Sequence, residues 1–220
     1  MKKRILSLAL SAAMALTMLP TGAFAASDKG KPPVYNKATG CYEISTPDQL
    51  LYLSGSWRDG APRDGHYVLT ADIDMTGVKG FKPIASKKDQ GFTGTFDGQF
   101  HAIKGLRVEY EKKYAGLFGY VGNQDDQAYI KDVALLDCYV TGQQNVGALA
   151  GVNYGTITGC VVTGEVKCLD LSNSHTAGGI CGKLKEGEGP IVGHVEDCYI
   201  NADVSAPYDA GGVAGIQDGG

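Results

Sequence analysis

The stretch that decides the fold is Gly147-Ala148-Leu149-Ala150-Gly151, a short glycine motif. Three further versions of it occur, AGLFG at 115–119, GGICG at 178–182 and GGVAG at 211–215. The last glycines of successive copies lie 32, 31 and 33 residues apart. A nearly constant period in this range is typical of stacked structural repeats, and such stacks serve more often as scaffolds and binding surfaces than as enzymes.

Two short apolar stretches follow each of the first three motifs and align between the repeats. The first set is 130–133, 157–160 and 195–198, and the second is 138–140, 164–166 and 202–204. We therefore expect an all-β fold, a right-handed parallel β-helix (solenoid) in which strands of successive coils pair at about 4.8 Å. A β-sandwich or barrel is the alternative, but neither requires the same motif every 32 residues or so.

The region before the repeats predicts a signal peptide, a linker and a cap. Residues 1–25 combine a basic start, an apolar run and the small residues Ala23-Phe24-Ala25, which predicts export with no membrane span after cleavage. Residues 26–40 are interpreted as a linker, 41–112 as an N-terminal cap with the first coils, and 113–220 as the repeats. Within the cap, Thr46-Pro47-Asp48-Gln49 predicts the start of a short helix that ends near Gly55.

The composition argues against nucleic acid or anionic lipid as a partner. The chain has 20 Lys+Arg and 24 Asp+Glu, and three of the basic residues lie in the signal, so 17 face 24 in the remainder, a net charge of −7. The basic pair Lys87-Lys88 is followed by Asp89 and predicts a solvated loop.

The cysteines leave one question open. Six cysteines in an exported chain favour disulfides. Cys160 and Cys198, however, occupy the position that Val133 holds in the first repeat, so they also fit buried thiols that pack as small apolar groups. The spacing of adjacent coils allows either state.

The stretch 147–166 closely resembles the GLUG motif of large bacterial surface proteins, including the non-catalytic part of some immunoglobulin A1 proteases. The segments 67–75 and 92–103 resemble the lead-in to such repeats, so the resemblance covers roughly residues 42 to 220. Departures are the insertion 123–127 and the absence from the third repeat of the turn seen at 153–155. The resemblance implies a surface-exposed solenoid with an interaction or spacer role, and it implies no catalytic residue.

The candidate chemical sites are few. Asp72 and Asp74, on one face of a predicted strand, suit a carboxylate pair for glycoside hydrolysis or a solvated outer face. Asp97 fits a turn cap. The loop with Asn123, Asp125 and Asp126 lacks the order of a known calcium loop. The four histidines form no H-E-x-x-H motif and are interpreted as turn or surface residues: His66, His101, His175 and His194. No catalytic, cofactor-binding or metal-binding residue is therefore predicted.

The tyrosines are open to two interpretations. Those in or beside the repeats either form an outward ligand-stacking strip or lean on the sheets and stabilise them: Tyr110, Tyr114, Tyr120, Tyr139, Tyr154, Tyr199 and Tyr208. The fourth motif stops at Gly220 without its second strand, from which we expect a longer protein.

The leading functional hypothesis is a non-enzymatic, secreted or surface-displayed scaffold for adhesion or spacing. Its partner would be a host or cell-surface glycan or protein. One alternative is a polysaccharide lyase or hydrolase that uses Asp72 and Asp74. Another is the non-catalytic N-terminal part of a surface metallopeptidase.

Overall fold

A computed structural model describes residues 30–55, 61–171, 175–185 and 192–218. Strands dominate these residues, and they contain one α-helix, so the all-β prediction is confirmed. The predicted signal peptide, residues 1–25, lies outside the described residues. No helix in the described ranges is both long enough and apolar enough to cross a bilayer.

The described strands are short, with two longer ones at β7 and β10. Their bounds are β1 Val34–Asn36, β2 Cys41–Ile44, β3 His66–Leu69, β4 Ile73–Asp74, β5 Thr95–Asp97, β6 Ala102–Lys104, β7 Arg107–Ala115, β8 Phe118–Val121, β9 Tyr129–Lys131, β10 Ala134–Gly147, β11 Ala150–Asn153, β12 Thr156–Thr158, β13 Val161–Cys168, β14 Thr176–Gly178, β15 Cys181–Lys185, β16 His194–Glu196, β17 Tyr199–Ser205, β18 Asp209–Gly211 and β19 Ala214–Asp218. Helix α1 spans Pro47–Leu53, and a 3-10 helix spans Lys88–Gln90.

The strands form three sheets whose neighbours come from successive repeats. The first sheet runs β1-β2-β3-β5-β9-β12-β16, the second runs β17-β13-β10-β14-β18 with β4, β6 and β7 attached, and the third runs β19-β15-β11-β8. Every pair except β1–β2 is parallel. Successive repeats therefore add parallel strands to the same three sheets.

The register confirms the repeat alignment predicted from the sequence. Ile157 pairs with Ile130 on one side and with Val195 on the other. In the second sheet, Val166 pairs with Val140 and Val204 in the same way. Equivalent apolar residues thus stack in rows, because strand alternation turns the same position of each repeat to the same side.

The glycine motifs stack on one another at a corner between the second and third sheets. Gly147 pairs with Gly178, and Ala150 pairs with both Phe118 and Cys181. A Cβ on Gly147 would lie 2.3 Å from the carbonyl oxygen of Ala150, so the chain folds back too tightly for a side chain. Close backbone approach, rather than positive φ, therefore explains most of the motif glycines.

The interior is one large hydrophobic cluster that runs through all the repeats. Its early part is rich in rings: Phe92 lies 5.1 Å from Phe118 and 6.0 Å from Tyr67, centroid to centroid. In the later repeats small side chains replace these rings, since Ala150, Cys181 and Ala214 follow Phe118 in its row. Aromatic pairs at such distances stabilise the interior beyond their buried area.

The first described residues confirm the predicted helix and show that part of the predicted linker forms a strand. The Thr46 hydroxyl accepts from the backbone N–H of Gln49, and Leu50 and Leu53 are buried in the core. The Gln49 side chain reaches the N–H of Ser45 instead of that of Thr46, so it caps one residue further out than a capping box predicts. Residues 26–40 are not wholly a linker, because β1 forms an antiparallel hairpin with β2.

Candidate functional site

Asp72 and Asp74 do not share a strand, so the predicted continuous strand was wrong. β3 ends at Leu69 and β4 begins at Ile73. The Asp72 carboxylate accepts from the backbone N–H of Ala102 at 2.9 Å and lies 3.0 Å from Nδ1 of His101. The Asp74 carboxylate accepts from the N–H of Thr76. Both carboxylates therefore hold turns and adjacent strands, a structural role that accounts for their presence.

The other polar candidates have similar local roles. The Asp97 carboxylate accepts from the N–H of Gln99, as predicted for a turn cap, and its other oxygen lies 2.9 Å from Nζ of Lys131. The Asn123 side chain accepts from the N–H groups of Asp125 and Asp126, which closes that loop on itself. Among the described residues, no group of three or more His, Cys, Asp or Glu side chains is arranged to hold a metal ion.

The histidines differ in their surroundings. His66 and His194 are exposed strand residues, as predicted for the surface. His101 packs against Asp72, and His175 is buried with Nδ1 3.7 Å from the Asp170 carboxylate. The interpretation as turn or surface residues fits His101, whose backbone N–H donates to the carbonyl oxygen of Gly98 and whose side chain is partly exposed, and it fails for the buried His175.

The tyrosines divide between the two interpretations. Tyr120 and Tyr154 are buried in a small cluster with Val152, separate from the main core, and the Tyr114 ring lies 4.8 Å from that of Tyr120. Burial, together with a hydrogen bond to Tyr114, raises the pKa of Tyr120. Tyr129, Tyr199 and Tyr208 are exposed instead. The tyrosines thus form no single strip along the repeats.

Strand β7 is the most unusual element of the surface. It pairs with β10 on one side, and no described strand pairs with its other edge. Five exposed charged side chains lie on it, and its pairing with β10 shifts register between Gly142 and Gln144, where β7 contains an extra residue. Charges and bulges are common devices that keep an edge strand from pairing with other chains.

A groove of about 860 Å³ follows the open edge of β7, and we name it the lysine groove. Its lining residues are Gly55, Gly80, Phe81, Lys82, Ser86, Lys87, Glu109, Tyr110, Glu111, Lys112, Lys113 and Tyr114. Four lysines against two glutamates give this groove a positive charge in a chain of negative net charge. Within the described ranges, none of these four lysines is in a salt bridge with a described acid.

A second groove lies on the other side of β7, and we name it the tyrosine groove. It measures about 710 Å³ and shares Glu109, Tyr110 and Glu111 with the lysine groove. Tyr139 forms part of its floor, with the Arg107 guanidinium 4.3 Å from the ring centroid. Arg107 also forms an ion pair with Glu109 at 2.9 Å. Tyr110 therefore lines both grooves, and its half-buried side chain also packs against the main core.

Sequence analysis did not identify these grooves. The sequence pattern indicated Lys87-Lys88 as the basic cluster and did not indicate Lys112 and Lys113. The usable signal was the alternation of charged and tyrosine residues over 107–114, which is unlike the small-residue strands around it. Lys87 and Lys112 are 25 residues apart, and only the turn of the chain between them brings both to one groove.

No family model matches the sequence. The chain is 32% identical to "Halomucin" of Haloquadratum walsbyi over 151 residues, which are 64% of the chain and 2% of that protein. It is 33% identical over 101 residues to a "Putative Gly-rich membrane protein" of Evansella cellulosilytica, or 42% of the chain and 11% of that protein.

A solved structure extends the similarity to most of the chain. The crystal structure of a "putative immunoglobulin A1 protease" from Bacteroides ovatus is similar with a TM-score of 0.66 and 26% identity. The match covers 81% of this chain and 53% of that one. It supports the predicted relation to immunoglobulin A1 protease-type proteins. The chain spans a small part of both sequence relatives and about half of the structural one, and the GLUG motif stays a prediction.

Proposed function

We propose that this chain is a surface-displayed, non-catalytic parallel β-solenoid of GLUG type that binds anionic glycans in the lysine groove along β7. The parallel register of successive repeats supports a solenoid, with three sheets as its walls. The names of the sequence relatives and the structural similarity are consistent with a surface protein. We propose the right hand of the coil as well, since parallel crossovers are almost always right-handed.

The single observation that carries the binding proposal is the lysine groove with Tyr110 at its rim. Sugars present apolar ring faces that stack on tyrosine and hydroxyls that bond to its polar tip. Carboxylate or sulfate groups on the sugars would pair with the lysines, whose charges have no described acidic partner. The charges and the bulge of β7 oppose the addition of a peptide strand at this edge, so a glycan suits the groove better than an extended peptide.

Binding of polygalacturonate, a polymer of carboxylated sugars, tests this proposal. The mature chain should bind it in biolayer interferometry, should bind neutral dextran much less, and should lose affinity as salt rises. Lys112→Ala with Lys113→Ala, and separately Tyr110→Ala, should weaken binding at least tenfold. The matched controls are Lys37→Ala and Tyr129→Ala, which replace exposed side chains of the same types outside both grooves. Equal binding by all variants would contradict the proposal.

The non-catalytic part of the proposal has its own test. The chain should release no oligosaccharides from polygalacturonate during long incubation. Bond cleavage that Asp72→Asn abolishes would contradict the scaffold function and favour a lyase or hydrolase. The structural role of Asp72 argues against that outcome, since its carboxylate already accepts from Ala102 and contacts His101.

A further inference from the structure

Two thiols lie at equivalent positions of adjacent repeats. Cys160 follows β12 and Cys198 follows β16, and these two strands pair in parallel. The next residues, Val161 and Tyr199, are paired as well, and the N–H of Tyr199 donates to the carbonyl oxygen of Cys160 at 2.9 Å. The two cysteine backbones are therefore direct neighbours across the parallel ladder.

This geometry satisfies what a disulfide requires. Adjacent strands lie about 4.8 Å apart, and disulfides join Cα atoms that are roughly 4.4–6.8 Å apart. Each thiol donates to a backbone carbonyl two residues before it, Cys160 to Thr158 at 3.3 Å and Cys198 to Glu196 at 3.2 Å, and the Cys198 sulfur also lies 3.9 Å from the carbonyl oxygen of Ile157 in the neighbouring repeat. Both cysteines are unbonded thiols in the structure. Bond formation therefore needs both side chains to turn from these carbonyls toward each other, while the paired backbones stay in register.

The two thiols differ in a way that sets the order of reaction. Cys160 is fully buried, whereas Cys198 is partly exposed. Burial raises the pKa of Cys160, while the neighbouring Cys160 thiol lowers the pKa of Cys198. Because the thiolate is the attacking species, Cys198 is suited to react with a reagent from solvent, and Cys160 is suited to react next.

We propose that Cys160 and Cys198 form a disulfide that joins the last described repeat to the one before it. The oxidant is a low-molecular-weight disulfide, RSSR. The Cys198 thiolate attacks one sulfur of RSSR, which forms a mixed disulfide and releases RS⁻. The Cys160 sulfur, as it loses its proton, then attacks the Cys198 sulfur and releases the second RS⁻. The two cysteines lose two electrons and two protons in total, and RSSR is reduced to two RSH.

This disulfide would tie two adjacent repeats of the stack together. A cross-link between the two repeats reduces the freedom of the unfolded chain at this point. The predicted export of the chain would bring it to an oxidising compartment, where such bonds persist. The proposal does not depend on glycan binding.

The test is oxidation of the purified mature chain by oxidised glutathione. Denatured reduced protein should give six titratable thiols, and oxidised protein four, with a mass loss of about 2 Da. Trypsin with chymotrypsin separates Cys160 from Cys138, because Tyr139 and Tyr154 lie between them. Mass spectrometry should then find one linked peptide pair containing Cys160 and Cys198. Oxidation should raise the melting temperature by about 8 °C.

Matched variants make the result specific. Cys160→Val copies the residue of the preceding repeat, Val133, and should keep the fold while it abolishes both the linked peptide and the temperature shift. Cys181→Ala should change neither, because Ala150 and Ala214 already occupy its row. Six remaining thiols, a stable glutathione adduct at Cys198, or a Cys181–Cys198 link would each overturn the proposal.

Discussion

At the residue scale, the last glycine of each motif is explained by the corner of the preceding repeat. A Cβ on Gly182 would lie 2.2 Å from the carbonyl carbon of Asn145, and one on Gly151 would lie 2.6 Å from that of Tyr114. Asn145 and Tyr114 both have positive φ, 48° and 68°, so they turn the chain immediately beneath these glycines. The motif glycines are therefore required by contact between repeats as well as by the local turn of the chain.

Substitution of these glycines should separate the crowded from the open positions. Gly182→Ala should lower the free energy of unfolding by about 3 kcal/mol, because neither backbone can move aside without disturbing a buried corner. Gly212→Ala is the control, since nothing lies within 4 Å of its Cβ position. That variant should stay within about 0.5 kcal/mol of wild type in urea unfolding. Equal losses for the two would show that crowding is not the reason for the motif.

The buried thiols should make the reduced protein less stable at high pH. Burial raises the pKa of Cys138 and of Cys181 to about 12, from an ordinary value of 9.0. Between these two pKa values the unfolded chain loses thiol protons that the folded chain keeps. The thiol contribution to the free energy of unfolding is therefore fully present below pH 9 and falls as the pH rises toward 12. Each such thiol contributes a slope of about 1.4 kcal/mol per pH unit in that range.

Cys181→Ala should make the free energy of unfolding less dependent on pH, because the variant lacks one of the titrating thiols. Urea unfolding under reducing conditions, from pH 8 to 10.5, measures the free energy of unfolding of both proteins. The difference in the free energy of unfolding between variant and wild type should therefore become smaller as the pH rises from 8. Val140→Ala, a buried substitution in the main core that removes no titrating group, should show a constant difference in the free energy of unfolding. A constant difference for Cys181→Ala would mean that this thiol ionises equally well in both states.

At the element scale, helix α1 depends on its cap because it is only two turns long. The Thr46 hydroxyl accepts from the N–H of Gln49 at 3.3 Å. Thr46→Ala should cost about 1 kcal/mol in the free energy of unfolding, whereas Thr46→Ser, which keeps the hydroxyl, should cost much less. Chemical denaturation followed by circular dichroism checks both values. An alanine variant as stable as the serine variant would show that the buried leucines alone hold the helix.

Elements with a strong local or periodic signal were predictable, and those set by distant contacts were not. The helix start at Thr46-Pro47 and the rows through Ile157 and Val166 follow from capping chemistry and from strict repetition. The break between β3 and β4 is invisible in the alternating pattern of 68–75, because it arises when Asp72 binds the N–H of Ala102, thirty residues away. Strand β1 is only three residues long and largely exposed, so it forms because β2 pairs with it.

The candidate site shows the same limit. Its tyrosines and lysines are visible in the sequence as residue types, but no local pattern indicates that Lys82, Lys87 and Lys112 line one groove. These lysines lie close together because the chain before β7 packs against β7. The repeat period alone does not specify this packing. For the same reason the sequence could not separate the buried Tyr120 from the exposed Tyr199.

At the scale of the whole molecule, the fold depends on repeats that stack in parallel and in register. One row of the first sheet runs through His66, Thr95, Tyr129, Thr156 and His194. Its two ends are exposed histidines four strand spacings apart, which corresponds to about 19 Å between their backbones. A fold of antiparallel hairpins would place no such constraint on two residues this distant in sequence.

The most direct test measures that separation in solution. Spin labels attached through p-acetylphenylalanine at positions 66 and 194 avoid the six native cysteines, and double electron–electron resonance gives the distance between them. Stacking in register predicts one narrow distribution near 19 Å, broadened only by the length of the labels. A distribution centred beyond about 30 Å, or one without a defined maximum, would contradict the stack of repeats on which the account rests.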